Sequence, residues 1–214
     1  VRCHPEQISN TSQRRAPIFE KAQDGHFNLI SSLHKSIRGS DPDATLYWFA
    51  RILVAGEDPM YLARRMIRMA CEDVGLADPQ ALPQTLAARD AYHQLGSPEG
   101  ELALAQAALY LATAPKSNAT YTAYKNAVRA ARESGSLMPP KRILNAPTKL
   151  MKDEGYGGGY RYDHDEPDAF SGQNYFPEEM DRPTYYEPAE RGFEREIRKR
   201  LDYWSKLRAE RKSD

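Results

Sequence analysis

The stretch MKDEGYGGGYRYDHDEPDAF, residues 151–170, combines residue types that serve three kinds of chemical site. Glycine-rich loops hold phosphate groups, carboxylates beside a histidine bind metal ions, and tyrosines near basic residues bind nucleic acid. Each kind of site requires its own spacing and its own neighbouring helices or strands. These requirements decide which of the three interpretations the sequence supports.

The glycines of GYGGGY, residues 155–160, do not have the pattern of a nucleotide-binding loop. Such a loop carries a lysine followed by serine or threonine, and it opens a helix. Residues 155–160 contain no lysine and follow a predicted helix instead of a strand. We therefore interpret the glycines as a helix terminus followed by a tight turn, and we expect no cofactor in this chain.

The acidic cluster DHDE, residues 163–166, matches neither a calcium loop nor a zinc site in its spacing. We predict an exposed acidic turn and no metal site. Nucleophilic catalysis needs a histidine and a carboxylate that converge in space, and the five histidines are scattered. Cys71 is expected to be a buried or half-buried thiol and His34 a packed or interfacial side chain. No catalytic residue is predicted.

The overall composition excludes several classes of protein. The 30 basic and 30 acidic residues cancel, so no global charge attracts nucleic acid or anionic lipid. The two cysteines provide no disulfide framework, which indicates a reducing compartment such as the cytoplasm. No apolar run approaches the ~20 residues that span a bilayer, so no membrane partner is expected.

A glycine followed by aspartate or serine and then proline recurs at the predicted helix boundaries. It appears as GSDP at residues 39–42, GEDP at 56–59, GLADP at 75–79 and GSP at 96–98. Glycine ends one helix in the left-handed conformation, the polar side chain caps the next helix, and proline fits its first turn. The pattern predicts an all-α bundle or collar of about six to eight helices.

Two of the predicted helices have a clear apolar face, because their apolar residues recur at helical spacing. The first face contains Leu62, Met66, Met69, Ala70 and Val74. The second contains Tyr121, Tyr124 and Val128.

Changes in composition along the chain predict four segments. Residues 1–23 are polar and are expected to be a linker or the end of an upstream region, and residues 24–154 form the helical domain. Residues 155–188 are expected to be an extended, aromatic-rich strap packed on the bundle, and residues 189–214 an amphipathic C-terminal helix. In the strap we expect three tyrosines to be mostly buried: Tyr156, Tyr160 and Tyr162.

The segment ATLYWFARILVA, residues 44–55, is apolar on nearly every side, and Arg51 is its only charge. A helix of this kind lies at the centre of a bundle or in a subunit interface. We therefore predict an oligomer interface with five candidate side chains: Leu46, Tyr47, Phe49, Ile52 and Leu53.

Two groups of basic residues remain. The first consists of Lys35, Arg38, Arg64, Arg65 and Arg68, of which the last three lie within one to two turns of Glu72 and Asp73. Arg64 and Arg68 are expected to form surface ion pairs worth less than about 1 kcal/mol each. The second group has fewer acids nearby, so contact with DNA phosphates is an alternative to simple solvent exposure. These candidate phosphate contacts are Lys116, Lys141, Arg142, Lys149 and Lys152.

Long stretches of the sequence resemble a known family. They are HKSIRGSDPDATLYWFARIL, AGEDPMYLARRMIRMACEDVGLADPQAL, LAQAALYLATAPKSNATYTAYKNA and NAPTKLMKDEGYGGGYRYDHDEPDAFSGQNYFP. Over residues 24–192 the chain resembles the C-terminal part of the replication-associated recombination protein A family, also called MgsA. The eukaryotic relative of this family is the Werner-helicase-interacting protein.

The resemblance implies part of an AAA+ ATPase related to clamp loaders, with a helical domain that assembles a homotetramer. It also implies that the whole protein is a DNA-dependent ATPase at stalled replication forks and associates with single-stranded-DNA-binding protein. ATP and magnesium are expected only in an N-terminal core outside this sequence. We therefore expect a tetramerisation module in the cytoplasm, at the nucleoid, and autonomous DNA binding through the basic patch is the alternative.

Overall fold

The computed structural model describes residues 22–211 of the chain, so the predicted linker at residues 1–23 lies almost entirely outside the described residues. Within the described range all regular structure is helical, which confirms the predicted all-α class. The chain divides into two compact units, Val1–Asn118 and Ala119–Asp214. The domain boundaries expected after residues 23, 154 and 188 stay predictions.

The described part of the first unit contains five α-helices. They are α1 (Ala22–Arg38), α2 (Pro42–Val54), α3 (Pro59–Met69), α4 (Ala81–Leu95) and α5 (Glu101–Thr113). A short π-helix, Ala70–Val74, continues directly from α3, and a 3₁₀ turn, Gly75–Ala77, follows it.

The described part of the second unit contains three further α-helices, which are α6 (Ala119–Glu133), α7 (Lys149–Asp153) and α8 (Glu194–Glu210). Three 3₁₀ turns lie between α6 and α8, at Lys141–Ile143, Asp163–Asp165 and Pro167–Ala169. The rest of the path between α7 and α8 is irregular.

Aspartate and proline begin two helices of the first unit in the predicted way. The Asp41 carboxylate accepts a hydrogen bond from the backbone N–H of Ala44 at 2.9 Å, and proline occupies the first turn of α2. The Asp58 carboxylate accepts one from the N–H of Met60 at 2.9 Å at the start of α3. These caps satisfy amides that have no partner within the helix.

Three of the four junctions, the first, third and fourth, differ from the expected pattern in detail. At the first junction Ser40, not Gly39, adopts the left-handed conformation, with φ 58°. At the third and fourth junctions the helices begin downstream of the prolines, at Ala81 and Glu101. The sequence pattern therefore located the breaks between helices better than the first residue of each helix.

The core of the first unit is built around α5, which packs against α1, α2, α3 and α4. Small alanines on α5 let the neighbouring helices approach closely, and Leu104 and Leu111 are fully buried between them. The apolar face predicted for the third helix is confirmed, because all five of its residues are buried: Leu62, Met66, Met69, Ala70 and Val74.

The start of α5 approaches α4 so closely that position 100 requires glycine. A Cβ atom on Gly100 would lie 2.8 Å from the Cα of Tyr92, well inside van der Waals contact. A larger residue here would separate the two helices and open the core between them.

The buried carboxylate of Asp73 joins α1 to the π-helix. His34 Nε2 donates to Asp73 Oδ2 and Arg38 Nε donates to Asp73 Oδ1, both at 2.5 Å. The Asp73 carbonyl oxygen accepts a hydrogen bond from the backbone N–H of Ser117 at 2.7 Å, which attaches the segment after α5. Burial raises the pKa of the Asp73 carboxyl, but the hydrogen bonds from His34 and Arg38 outweigh this effect, and the net pKa lies below its ordinary value.

Cys71 lies in the π-helix and is exposed, so the prediction of a buried or half-buried thiol is wrong. Cys71 follows the exposed Arg64 and Arg68 at helical spacing, on the side opposite the buried face, and the prediction did not use this spacing. His34, in contrast, is a packed side chain, as predicted, with 14% of its surface exposed.

Polar contacts organise the described part of the second unit. Glu194, at the start of α8, is fully buried and accepts hydrogen bonds from the Tyr186 hydroxyl at 2.9 Å and the Ala189 N–H at 2.8 Å. Near the other end of α8, the guanidinium groups of Arg208 and Arg211 lie 5.1 Å and 5.7 Å from the centre of the Phe170 ring. The irregular segment before α8 is therefore attached to both ends of that helix.

Two of the three tyrosines expected to be mostly buried in this segment, Tyr160 and Tyr162, are not. Tyr160 is 47% exposed and Tyr162 is 54% exposed, while Tyr156 is half-buried. The prediction is wrong because it inferred burial from the number of aromatic residues, whereas the residues that contact α8 lie later in the segment. Phe170 and Tyr186 are two of these anchors.

The apolar core predicts a contrast between two leucines of α5. We expect Leu104→Ala to lower the free energy of unfolding by about 2 to 5 kcal/mol, because it leaves a cavity among four helices. Leu102 is 75% exposed on the same helix, and Leu102→Ala should change stability by no more than about 0.5 kcal/mol. Urea denaturation followed by circular dichroism measures both, and equal effects would contradict the described packing of α5.

A second prediction concerns Asp73. Asp73→Asn removes the buried charge that His34 and Arg38 bind, so it should cost on the order of 3 kcal/mol at pH 7. Since the pKa of Asp73 is lower in the folded chain, its stabilising contribution is present above about pH 4 and is lost as the pH falls through the folded pKa. The difference between wild type and variant should therefore be smaller below about pH 4 than at pH 7.

Asp90 provides the control for this measurement. Its carboxylate meets the neighbouring Arg89 at 2.7 Å on the surface, where an ion pair contributes little. Asp90→Asn should leave the urea midpoint nearly unchanged at both pH values. If the Asp73→Asn variant is as stable as the Asp90→Asn variant, the Asp73 contacts do not stabilise the fold.

Candidate functional site

The five residues predicted for an oligomer interface occupy different sides of α2. Phe49 and Ile52 are buried in the core of the first unit, and they are therefore not available to a partner chain. Leu46 and Leu53 are half-buried, and Leu53 packs against that core. Tyr47 is 60% exposed.

The exposed side of α2 is itself apolar. Tyr47, Ala50 and Val54 follow each other at helical spacing on the side opposite Thr45, Phe49 and Ile52, and Val54 is 75% exposed. We call Tyr47, Ala50 and Val54 the outer face of α2. Ala50 and Val54 did not appear among the predicted interface residues, although their spacing from Tyr47 is visible in the sequence.

Lys116 does not have the environment of a phosphate contact. Its Nζ donates to the carbonyl oxygens of Ala112 and Ala114, at 3.0 Å and 2.5 Å, where α5 ends. The side chain is half-buried, and burial lowers the pKa of its ammonium group. Lys116 therefore serves the C-terminus of a helix, whose carbonyl oxygens favour a positive charge.

The other four predicted phosphate contacts all lie in the second unit. Lys149 and Lys152 are exposed on α7, and Lys141 is exposed on the 3₁₀ turn before it, with Nζ donating to the carbonyl oxygen of Glu154 at 3.1 Å. Arg142 is half-buried, and its Nη2 donates to the carbonyl oxygen of Asn174 at 2.8 Å. Three exposed lysines and one partly engaged arginine thus remain from the predicted set.

A groove of about 410 Å³ lies beside these residues, with Arg142, Leu144, Tyr160 and Tyr175 among those that line it. The glycine-rich stretch forms part of its wall. The Gly157 N–H donates to the carbonyl oxygen of Lys141 at 2.8 Å, and Gly157 has φ 71°. The glycines therefore form a turn after α7, as predicted.

In the predicted exposed acidic turn, His164 and Asp165 are exposed, whereas Asp163 and Glu166 are half-buried and bound by neighbouring groups. Asp163 accepts hydrogen bonds from the Tyr175 hydroxyl at 2.6 Å and the Ser171 N–H at 2.8 Å, and these bonds lower its pKa to about 2. The Arg161 guanidinium forms a two-bond ion pair with Glu166, and lowers the pKa of that carboxyl. Oxygen atoms that a metal ion would need are thus directed to hydrogen-bond donors.

One group of residues that the sequence did not bring together has potential metal ligands. His34, Glu72 and Asp73 place a nitrogen and two carboxylate oxygens within 4.8 Å of one another. The Arg38 guanidinium lies among them, with Nη2 3.0 Å from His34 Nε2 and 3.5 Å from Glu72 Oε1. Because Arg38 already supplies the positive charge, the arrangement is that of an ion-pair cluster.

None of the helices in residues 22–211 combines the length and the apolar character that crossing a membrane requires.

Comparison with known proteins agrees with the helical arrangement. Residues 39–205 match the family described as MgsA AAA+ ATPase C terminal. The chain is 52% identical to replication-associated recombination protein A of Haemophilus influenzae, with 93% of this chain and 44% of the relative covered. The same-named protein of Escherichia coli K12 is 51% identical, with 92% and 44% covered.

A eukaryotic relative shares the same region. ATPase WRNIP1 of Dictyostelium discoideum is 44% identical, with 85% of this chain and 21% of the relative covered. The chain thus spans less than half the length of each of these three relatives. It belongs to the MgsA AAA+ ATPase C-terminal family.

Proposed function

We propose that this chain is the tetramerisation module of a DNA-dependent AAA+ ATPase that maintains replication forks and supports recombination. The observation that carries the proposal is the outer face of α2, where Tyr47, Ala50 and Val54 remain exposed on a folded helix. Apolar side chains grouped on one side of a helix favour burial against another protein surface. A second copy of the chain is the partner, which accords with the assembly expected from the family.

The remaining functions belong to the whole protein. We assign ATP and magnesium binding to an N-terminal core outside this sequence, and DNA binding to the assembled protein. The names of the bacterial relatives refer to replication-associated recombination and support a role of the whole protein in that process. We further propose association with single-stranded-DNA-binding protein and a location in the cytoplasm, at the nucleoid.

A second candidate function is phosphate binding by the chain itself. Residues 119–152 contain seven basic residues and a single acidic one, Glu133. Lys141, Lys149 and Lys152 belong to this stretch and are exposed. A local excess of positive charge attracts the nucleic-acid backbone even in a chain whose total charge is zero.

The assembly proposal predicts that charge on the outer face of α2 separates the subunits. We expect the wild-type chain to have the mass of a tetramer at micromolar concentration in static light scattering. The double variant Tyr47→Glu with Val54→Glu should have a lower mass, because an interface does not tolerate unpaired buried charge. Circular dichroism should remain unchanged, since both side chains are exposed in the folded unit.

Leu102→Glu is the matched control, because Leu102 on α5 is exposed to the same extent as Val54, at 75%. This control should keep the wild-type mass. A stable wild-type monomer would contradict assembly, and a tetrameric double variant would exclude the outer face of α2 as its interface.

The second candidate function predicts a specific salt dependence. Each lysine that contacts a duplex phosphate adds about 0.9 to the slope of log K against log salt. Replacement of Lys141, Lys149 and Lys152 by glutamine should therefore reduce the slope for a 20-base-pair duplex by about 2 to 3. Fluorescence anisotropy at salt concentrations from about 50 to about 200 mM measures this slope. An unchanged slope would exclude these lysines as phosphate contacts.

A further inference from the structure

Helix α6 presents a surface that the proposed functions above do not use. None of its residues is buried. On one side of α6 the half-buried residues are small or polar: Ala123, Asn126, Ala127 and Ala130. On the opposite side, Tyr121, Tyr124, Lys125, Arg129 and Arg132 are all exposed and recur at helical spacing. We call these five residues the α6 stripe, which spans about 17 Å at 1.5 Å per residue. Val128, which shares the side of Tyr121 and Tyr124, is half-buried.

The two tyrosines of the α6 stripe are exposed to solvent. Tyr121 is 42% exposed and Tyr124 is 72% exposed, although the sequence pattern placed both on an apolar face. In residues 22–211 neither hydroxyl has a hydrogen-bond partner, and neither ring has an aromatic one. Both rings are therefore free to stack with a flat, unsaturated group.

The three cations of the α6 stripe lack acidic partners. Within the described residues Lys125 and Arg132 form no ion pair, and Arg129 reaches only the side-chain oxygen of Asn126, at 3.4 Å. Cations on other helices behave differently. Arg68 pairs with Glu72 at 2.9 Å and Lys199 pairs with Glu196 at 2.8 Å. The positive charge of the α6 stripe is thus not neutralised by the helix that carries it.

We propose that the α6 stripe binds single-stranded nucleic acid, with bases stacked on Tyr121 and Tyr124 and phosphates held by Lys125, Arg129 and Arg132. Aromatic faces next to cations on one side of a helix suit a strand whose bases and phosphates are both accessible. In a duplex the bases already stack on each other, so the tyrosine faces gain no partner there. The inference deepens the nucleic-acid role proposed above and rests on it.

An acidic protein segment is the competing ligand, because three cations attract carboxylates as well as phosphates. It explains the exposed tyrosines less well, since carboxylates gain nothing from the face of an aromatic ring, which carries partial negative charge. The experiment below separates the two ligands by measuring the binding of each variant to oligothymidylate and to poly-glutamate.

The test measures binding of the 214-residue chain to fluorescein-labelled oligothymidylate by anisotropy. Loss of base stacking costs about 1 to 3 kcal/mol per base, so Tyr121→Ala with Tyr124→Ala should raise the Kd about tenfold or more. The salt slope of this variant should stay unchanged. Lys125→Gln with Arg132→Gln should instead reduce the slope by about 1.4, because each single-strand phosphate contact contributes about 0.7.

Matched variants control for indirect effects. Tyr121→Phe with Tyr124→Phe preserves the stacking surface and should bind like the wild type. Tyr162→Ala removes a tyrosine that is 54% exposed outside α6, and Lys35→Gln removes an exposed cation of α1. Neither should change the Kd by more than about twofold, since neither contributes to the stripe.

The possible outcomes have distinct meanings. An unchanged Kd for the double alanine variant overturns the proposal while leaving the nucleic-acid role of other residues intact. Loss of poly-glutamate binding to the same extent as loss of oligothymidylate binding identifies an acidic protein site and also overturns it. Absence of oligothymidylate binding by the wild type at low salt overturns both the stripe and autonomous nucleic-acid binding. Light scattering of the same samples gives the mass of the chain and so tests the assembly proposal independently of binding.

Discussion

The first unit depends on the compensation of one buried negative charge. Asp73 has almost no contact with solvent, and its carboxylate is held by two donors from α1, while its carbonyl oxygen holds the segment after α5. A buried charge is costly unless hydrogen bonds and an opposite charge surround it. Asp73 lies on the same buried side as Met69 and Ala70, whereas Cys71 is exposed. One carboxylate and its backbone carbonyl therefore connect α1, the π-helix and the segment after α5.

The two units are stabilised by different interactions. The first has a continuous apolar core around α5, where alanines allow close helix packing. The buried apolar cluster of the described residues draws all its members from the first unit. In the second unit, Glu194 collects hydrogen bonds at one end of α8, and Phe170 receives two guanidinium groups near the other. The aromatic segment is therefore attached through specific polar and cation–π contacts.

The surfaces left exposed accord with a module whose chemistry lies in its interactions. Within residues 22–211, one helix carries an outer apolar face and another carries exposed tyrosines beside cations that form no ion pair, whereas Glu166 is engaged by an arginine and Asp163 by a tyrosine hydroxyl. Proteins bury apolar surface and neutralise positive charge by binding other molecules. The proposed assembly and nucleic-acid roles each use one of these surfaces, so variants of one helix can be interpreted without change in the other.

The sequence by itself determined the helical class, the breaks between helices and the buried face of α3, because these follow from local capping and from a 3.6-residue period. The same period does not distinguish an apolar face that packs in the core from one that remains exposed. The prediction therefore assigned both Phe49 and Tyr47 to an interface, although only Tyr47 is exposed. The sequence predicts Lys116 as a phosphate contact, whereas in the structure its Nζ donates to carbonyl oxygens at the end of α5. The cluster of His34, Arg38 and Asp73 joins residues far apart in the chain, and only tertiary packing decides such contacts.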